Sequence, residues 1–259
     1  MKTQQARSRL SDDELRDVLG LIEGADTVEL KLTVSETDRQ SALMALGVDP
    51  LEARVRQVFF FDTPDLSLYE HGVVARARRT QTRPDDSVIK IRPVVPDEIP
   101  QELRAIEDFG VEVDAMPGGF VCSASYKRRL QAGRVKDSVA GRRTLRKLFS
   151  KQQRAFFALH APDGIELDDL SILGPINVLK LKFAPEGFTR KLAVELWSYP
   201  SGSRILELST KCSPGEAFDA AAEARAYLSE RGVDLDGKQE TKTRTALAYF
   251  SNALQGTTS

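Results

Sequence analysis

Apolar and polar residues alternate with period two in eight segments: 28–34, 57–62, 72–80, 87–94, 120–129, 177–184, 192–199 and 204–211. Residues two apart on a strand share a face, so each segment predicts a strand with one apolar face and one polar face. Helix signals lie between them. Ser11-Asp12-Asp13-Glu14 has the form of a capping box and predicts a helix over 11–24. Ser35 opens a second helix, and the pattern over 101–109 reads as a third. Ser150-Lys151-Gln152-Gln153 caps another. Ser213-Pro214-Gly215-Glu216 combines an N-cap Ser, a Pro in the first turn and a Glu at the third position. A last helix is predicted over 241–254. Eight strands separated by turns and helices predict an α+β fold: an eight-stranded antiparallel β tunnel, a closed barrel, with helices packed around the outside. No linker divides the chain, so 1–259 reads as a single domain with helical insertions near 98–116 and 135–160.

The polar faces are unusual in their sign. Lys31 shares a face with Glu29, and Arg76 pairs with Arg78, Lys90 with Arg92, Lys127 with Arg129 and Lys180 with Lys182. The last two strands place Glu195 and Glu207 on the corresponding parity. That face holds nine cations against three acids, an excess of six positive charges. A sheet face in water would mix its signs, because like charges directly opposite destabilise the pairing. If the helices cover the apolar face, the charged face lines the barrel interior. Such a concentration of cations is tolerable when a polyanion, or water with counter-ions, occupies it. Arg forks and Lys ammonium groups suit phosphate oxygens. A few Glu among them suit Mg²⁺ or Mn²⁺.

Composition narrows the picture. The 259 residues carry 37 Lys plus Arg and 38 Asp plus Glu, a net charge of −1. That near-neutrality argues against a chain devoted to nucleic acid or to a membrane surface. Charge is nonetheless segregated: 127–154 holds eleven bases and one acid, and 96–116 holds seven acids and one base. Two cysteines, Cys122 and Cys212, cannot form a disulfide framework, and His71 and His160 lack metal-ligand spacing. The N-terminus has no apolar core of a signal peptide, and no apolar run approaches the ~20 residues of a membrane span. The expectation is a soluble, cytoplasmic protein.

These residues resemble the CYTH superfamily, the triphosphate tunnel metalloenzymes, over most of the chain from about Thr27 to Leu247. Thr27-Val28-Glu29-Leu30-Lys31 resembles the family's E-x-E-x-K opening. Phe60-Phe61-Asp62-Thr63-Pro64-Asp65-Leu66 resembles its aromatic-D-T segment. Arg76-Ala77-Arg78, Lys90 and Lys127-Arg128-Arg129 resemble its basic strands, and Glu207-Leu208-Ser209 its closing E-x-E. Lys242 stands for a late basic residue. The resemblance implies a triphosphate-containing small molecule or short polyphosphate held by Lys31, Arg76, Arg78, Lys90, Arg92, Lys127, Arg129, Lys180 and Lys182. It implies Mg²⁺ or Mn²⁺ on Glu29, Glu195 and Glu207, with Glu29 and Glu207 serving catalysis at phosphorus.

Two departures bear on the activity. Thr27 and Ser209 replace two family carboxylates, and Asp168 and Asp169 are the nearest acids that could compensate. The leading expectation is a metal-dependent phosphohydrolase acting on an inorganic, nucleoside or organic triphosphate. The alternatives are a non-catalytic polyphosphate or phosphometabolite-binding module, an adenylyl cyclase of class IV type, and RNA binding through the basic block.

Overall fold

The computed structural model describes residues 12–235 and 242–256. Among these residues nine strands close into one barrel: β1 (Thr27–Val34), β2 (Arg54–Asp62), β3 (Val73–Thr80), β4 (Asp85–Ile91), β5 (Phe109–Met116), β6 (Gly119–Leu130), β7 (Ser171–Phe183), β8 (Leu192–Ser198) and β9 (Arg204–Cys212). Their order around the barrel is β1-β5-β6-β4-β3-β2-β7-β8-β9. The helices are α1 (Asp12–Glu23), α2 (Arg39–Ala45), α3 (Ser67–Glu70), α4 (Gln101–Arg104), α5 (Arg134–Val139), α6 (Lys151–Ala158), α7 (Ala217–Glu230) and α8 (Lys242–Gly256). Ser11 and Thr241, expected at two helix starts, lie outside the described residues.

The closed barrel with surrounding helices agrees with the sequence, and two details correct it. The barrel has nine strands where the sequence predicts eight. It is also mixed, because β5 runs parallel to β1 in the register Thr27↔Glu112 and Glu29↔Asp114. The extra strand comes from the segment expected as a helical insertion near 98–116. Helix there is limited to α4 and a 3₁₀ turn at Pro96–Glu98, and the chain then enters β5. The physical reason is the alternation of Val111, Val113 and Ala115 with Glu112 and Asp114. It buries one face against α1 and turns the acids to the other. The expected insertion near 135–160 does contain helices, α5 and α6.

Three apolar clusters lie between the barrel's outer face and its helices. Phe59, Phe61, Ala75, Ile89 and Tyr126 pack under Phe149, Phe156 and Phe157. Leu32, Val194 and Leu208 pack under Ala42, Leu46, Tyr227 and Leu228. Val28, Val113 and Cys122 pack under Ile22 and Ala220. Fully burying a side chain of this size contributes about 1.5–3 kcal/mol, so the helices fix which parity of each strand faces outward.

A fourth cluster has the opposite parity. Ala246, Leu247 and Phe250 of α8 pack against Val58, Phe60, Ile176, Val178 and Trp197, which project into the barrel. The helix therefore closes one end of the interior and carries its first residue, Lys242, to the tunnel. The turn before β3 is equally constrained. Gly72 has φ +74°, and a Cβ there would meet the carbonyl oxygen of Arg92 at 2.1 Å.

Candidate functional site

The barrel interior is a cavity of about 320 Å³. Among the described residues its wall carries ten cations (Lys31, Arg56, Arg76, Arg78, Lys90, Arg92, Lys127, Lys180, Lys211 and Lys242) and five acids (Glu29, Glu112, Asp114, Glu195 and Glu207). The excess is five positive charges, close to the six expected from strand parity.

One wall is basic. Arg56 on β2 and Arg76 on β3 both have a buried Nε with no hydrogen-bond partner. Burial and then the neighbouring Arg78 push Arg76 down to about 10. Arg78 is held by Asp86, whose Oδ1 accepts from its Nε at 2.8 Å. Burial pushes Lys90 on β4 down to about 8, despite Asp114 at 3.4 Å. Arg92 lies 5.7 Å from the ring centre of Tyr69.

The wall opposite in strand order is acidic. Carboxylate oxygens of Glu29, Glu112 and Asp114 lie within 4.8 Å of one another. Two lysines interleave them. Lys31 Nζ lies 2.7 Å from Asp114 and 3.2 Å from Glu29. Lys211 contacts Glu112 and lies 3.7 Å from Glu29. Burial alone would raise Glu29, but Lys31 and Lys211 outweigh it and hold it near 2. Asp114 is likewise held near 2, against burial, by Lys31 and Lys90. Thr27 Oγ1 donates to Glu112 at 3.4 Å, and Ser209 Oγ donates to Glu29 at 3.1 Å.

A third group sits by α8. Glu195 and Glu207 are directly opposite on β8 and β9. Lys242 Nζ donates to both, at 2.6 Å each. Glu195 also accepts from Lys180 at 2.6 Å and from the Trp197 indole at 2.9 Å.

The sequence-predicted residues thus divide. Lys31, Arg76, Arg78, Lys90, Arg92, Lys127 and Lys180 line the cavity with Glu29, Glu195 and Glu207. Arg129 and Lys182 share the inward parity, yet they lie beyond the cavity wall and are exposed. β2 ends its pairing with β7 at Lys180, so Lys182 projects past the rim. Arg129 stands opposite Asp86, one residue from the start of β4. Asp168 and Asp169 are outside the cavity: Asp168 accepts from the Arg146 amide, and Asp169 from the Glu166 amide. Sequence reasoning missed Glu112, Asp114, Arg56 and Lys211. Strand parity was the signal available for each of them.

Two solved structures share this architecture. One is a candidate adenylate cyclase from Bacillus halodurans, with a TM-score of 0.57, 14% identity, and coverage of 85% of this chain and 98% of that one. The other is an adenylyl cyclase candidate from Hippeastrum described as having a dominant triphosphatase activity, with a TM-score of 0.62, 14% identity, and coverage of 85% and 94%.

The chain has the closed-barrel fold of these two structures.

No family model matches the sequence, and no curated protein matches it. The tunnel fold at this identity places the strands and leaves the chemistry to this chain's own residues. Glu29, Glu112 and Asp114 could hold a divalent ion: they offer three hard oxygen donors from adjacent strands within 4.8 Å of one another, in contact with the ammonium groups of Lys31, Lys90 and Lys211. Glu195 and Glu207 lie outside that group and are bridged by Lys242, with Glu195 also accepting from Lys180 and Trp197. No helix among the described residues is long and apolar enough to cross a membrane.

Proposed function

We propose that this protein is a metal-dependent triphosphatase that holds a triphosphate group inside the tunnel. The observation that carries the reading is the pair of buried, unpartnered Nε atoms on Arg56 and Arg76 in a wall facing three clustered carboxylates. A buried donor left unmade costs about 1–3 kcal/mol, and phosphate oxygens are the acceptors that satisfy a guanidinium best. Anion chemistry on one wall and divalent-cation chemistry on the other describe a metal-phosphate complex.

In this reading Arg56, Arg76, Arg78 and Lys127 bind and orient the phosphate oxygens. Lys90 joins them while it is protonated. Glu29, Glu112 and Asp114 would hold Mg²⁺ or Mn²⁺, which when bound supplies an acidified water and neutralises charge on the phosphates. Ser209 orients Glu29 by its hydrogen bond, and Thr27 does the same for Glu112. Glu207 keeps one oxygen outside its contact with Lys242, and that oxygen would accept a proton from the attacking water. Lys31 and Lys211 keep the acidic wall ionised.

The test is phosphate release from tripolyphosphate or ATP with Mg²⁺ or Mn²⁺. Release above that of Glu29→Ala supports the reading, and equal release contradicts it. Cyclic AMP and pyrophosphate from ATP would assign a cyclase instead.

A second reading is a binding module without turnover. Its supporting observation is that hydroxyls, Thr27 and Ser209, stand where the family pattern has carboxylates. It predicts tripolyphosphate binding by calorimetry that survives EDTA, with no phosphate released.

A further inference from the structure

The cations of the tunnel face continue past the cavity wall. Arg54 on β2, Arg129 on β6 and Lys182 on β7 have the inward parity of Arg56, Lys127 and Lys180, and all three are exposed. Arg83, in the turn between β3 and β4, is exposed beside them. These elements follow one another in the barrel order β6-β4-β3-β2-β7, so the four cations form a single arc. β2 runs from Arg54 to Phe60, which packs against α8, and the arc therefore lies at the end away from that helix.

The charges of the arc are not balanced from within. Arg54 stands directly opposite Lys180 on the same face, an arrangement that is destabilising unless an anion compensates it. Glu195 is already shared between Lys180 and Lys242, and Asp86, which pairs with Arg129 in the register, holds Arg78. Among the described residues no ion pair engages Arg54, Arg83, Arg129 or Lys182.

The arc also leads somewhere. An open groove of about 710 Å³ lies between the β3–β4 turn and the approach to α5. Arg56 lines both the tunnel and this groove, so the two are continuous. Arg79 and Arg83 are the groove's other cations, and its one carboxylate, Asp85, is buried and accepts from the Val135 amide. Beyond β6 the sign reverses, because Glu107 and Asp108 are exposed immediately before β5. A polyanion leaving the tunnel is thus drawn over the β2–β4 side. No aromatic ring lines the groove to stack a base, which favours a bare phosphate chain over a nucleic acid.

We infer that the arc and groove are a subsite for the continuation of a phosphate chain whose terminal triphosphate lies in the tunnel, so that the ligand is inorganic polyphosphate longer than triphosphate. The inference rests on the reading of the tunnel as a triphosphate site.

The experiment is calorimetric binding of tripolyphosphate and of long-chain polyphosphate to the full chain, with EDTA present to prevent turnover. Wild type is compared with the double variant Arg54→Gln/Arg83→Gln, with Arg76→Ala, and with Arg204→Gln. The double variant should bind long-chain polyphosphate on the order of tenfold more weakly, the modest combined yield of exposed ion pairs, and should bind tripolyphosphate as wild type does. That unchanged affinity also shows that the variant is folded. Arg76→Ala should weaken both ligands, because both enter the tunnel. Arg204 is exposed at the opposite end of the barrel, and Arg204→Gln should change neither affinity. Equal effects of the double variant on the two ligands would overturn the inference, as would an equal loss of long-chain binding in Arg204→Gln. Long-chain binding untouched by Arg76→Ala would overturn it too, by placing the chain on the outer surface alone. A 5′-triphosphorylated oligoribonucleotide bound as tightly as polyphosphate, with the same dependence on Arg54 and Arg83, would assign the subsite to RNA and overturn the choice of ligand. In each of these cases the triphosphate reading of the tunnel stands. No binding of tripolyphosphate to wild type would overturn both.

Discussion

Thr27 on β1 and Glu112 on β5 stand opposite each other in a parallel register, and the Thr27 hydroxyl donates to the Glu112 carboxylate. The neighbouring strand thus places a carboxylate beside position 27, where the family pattern has one, and Asp114 opposite Glu29. The acidic wall is built from two adjacent strands, and the hydroxyl at 27 orients what it does not provide.

This arrangement predicts separate roles for the two strands. Glu112→Gln and Asp114→Asn should each weaken Mn²⁺ binding by at least on the order of ten- to hundredfold, since loss of a mere supporting partner of a metal ligand already costs that much. Thr27→Val should weaken it less. Calorimetric titration with Mn²⁺ checks the order, and a Thr27→Val effect equal to that of Asp114→Asn would contradict it.

The basic wall predicts a contrast between inward and rim cations. Arg76→Ala should weaken tripolyphosphate binding by about 1.5–3 kcal/mol, the range for hydrogen bonds to charged groups. Arg129→Ala and Lys182→Ala should change it little, because both side chains lie in water beyond the cavity. Binding isotherms without metal distinguish the two sets. Equal losses would show that the ligand is bound at the rim.

The pH dependence has two signs. Lys90 sits at about 8 through burial, so its charge is lost as pH rises through that value. Tripolyphosphate affinity should therefore fall between pH 7 and pH 9, with proton uptake on binding in that window. Lys90→Met should flatten the profile. Glu29 and Asp114 are held near 2, below their unfolded values of 4.5 and 3.8. A depressed carboxylate contributes stability that is fully present above its unfolded value and is lost as pH falls toward its folded one. Unfolding followed by circular dichroism should show stability declining from about pH 4.5 toward pH 2, and the decline should be shallower in Asp114→Asn.

Asp62 predicts a purely structural cost. Its carboxylate accepts from the backbone amides of Thr63, Leu68 and Tyr69 at 2.8, 2.9 and 3.1 Å, fixing α3 beside β3. Asp62→Ala leaves buried donors unmade and should cost about 2–4 kcal/mol. Asp62→Asn, which retains an acceptor oxygen, should cost less. Thermal unfolding measures both.

Much of the barrel was legible because period-two alternation is local. Arg76, Arg78, Lys90 and Lys180 each declare their face through the apolar residues beside them. The acidic wall was harder to read. Glu112 and Asp114 alternate with Val111, Val113 and Ala115 as clearly as any strand. They follow a stretch of acids and a helical turn, so the whole segment took on the character of an insertion. Parallel pairing of β5 with β1 depends on the closure of the entire sheet, and no local pattern encodes it. Arg56 lay one residue before the expected start of its strand, and Lys211 one step past the motif ending at Ser209. Arg129 and Lys182 show the reverse limit: parity assigns a face, while the length of the tunnel decides whether a side chain on that face is inside it.

The most direct measurement of the central claim is phosphate release from tripolyphosphate by the purified full-length chain with Mn²⁺. Wild type, Glu29→Ala and Arg76→Ala should be compared at matched concentration. The account predicts release by wild type that is abolished by EDTA and lost in Glu29→Ala, with Arg76→Ala weakened in KM. No release by folded, Mn²⁺-loaded wild type, or release unchanged in Glu29→Ala, would contradict it.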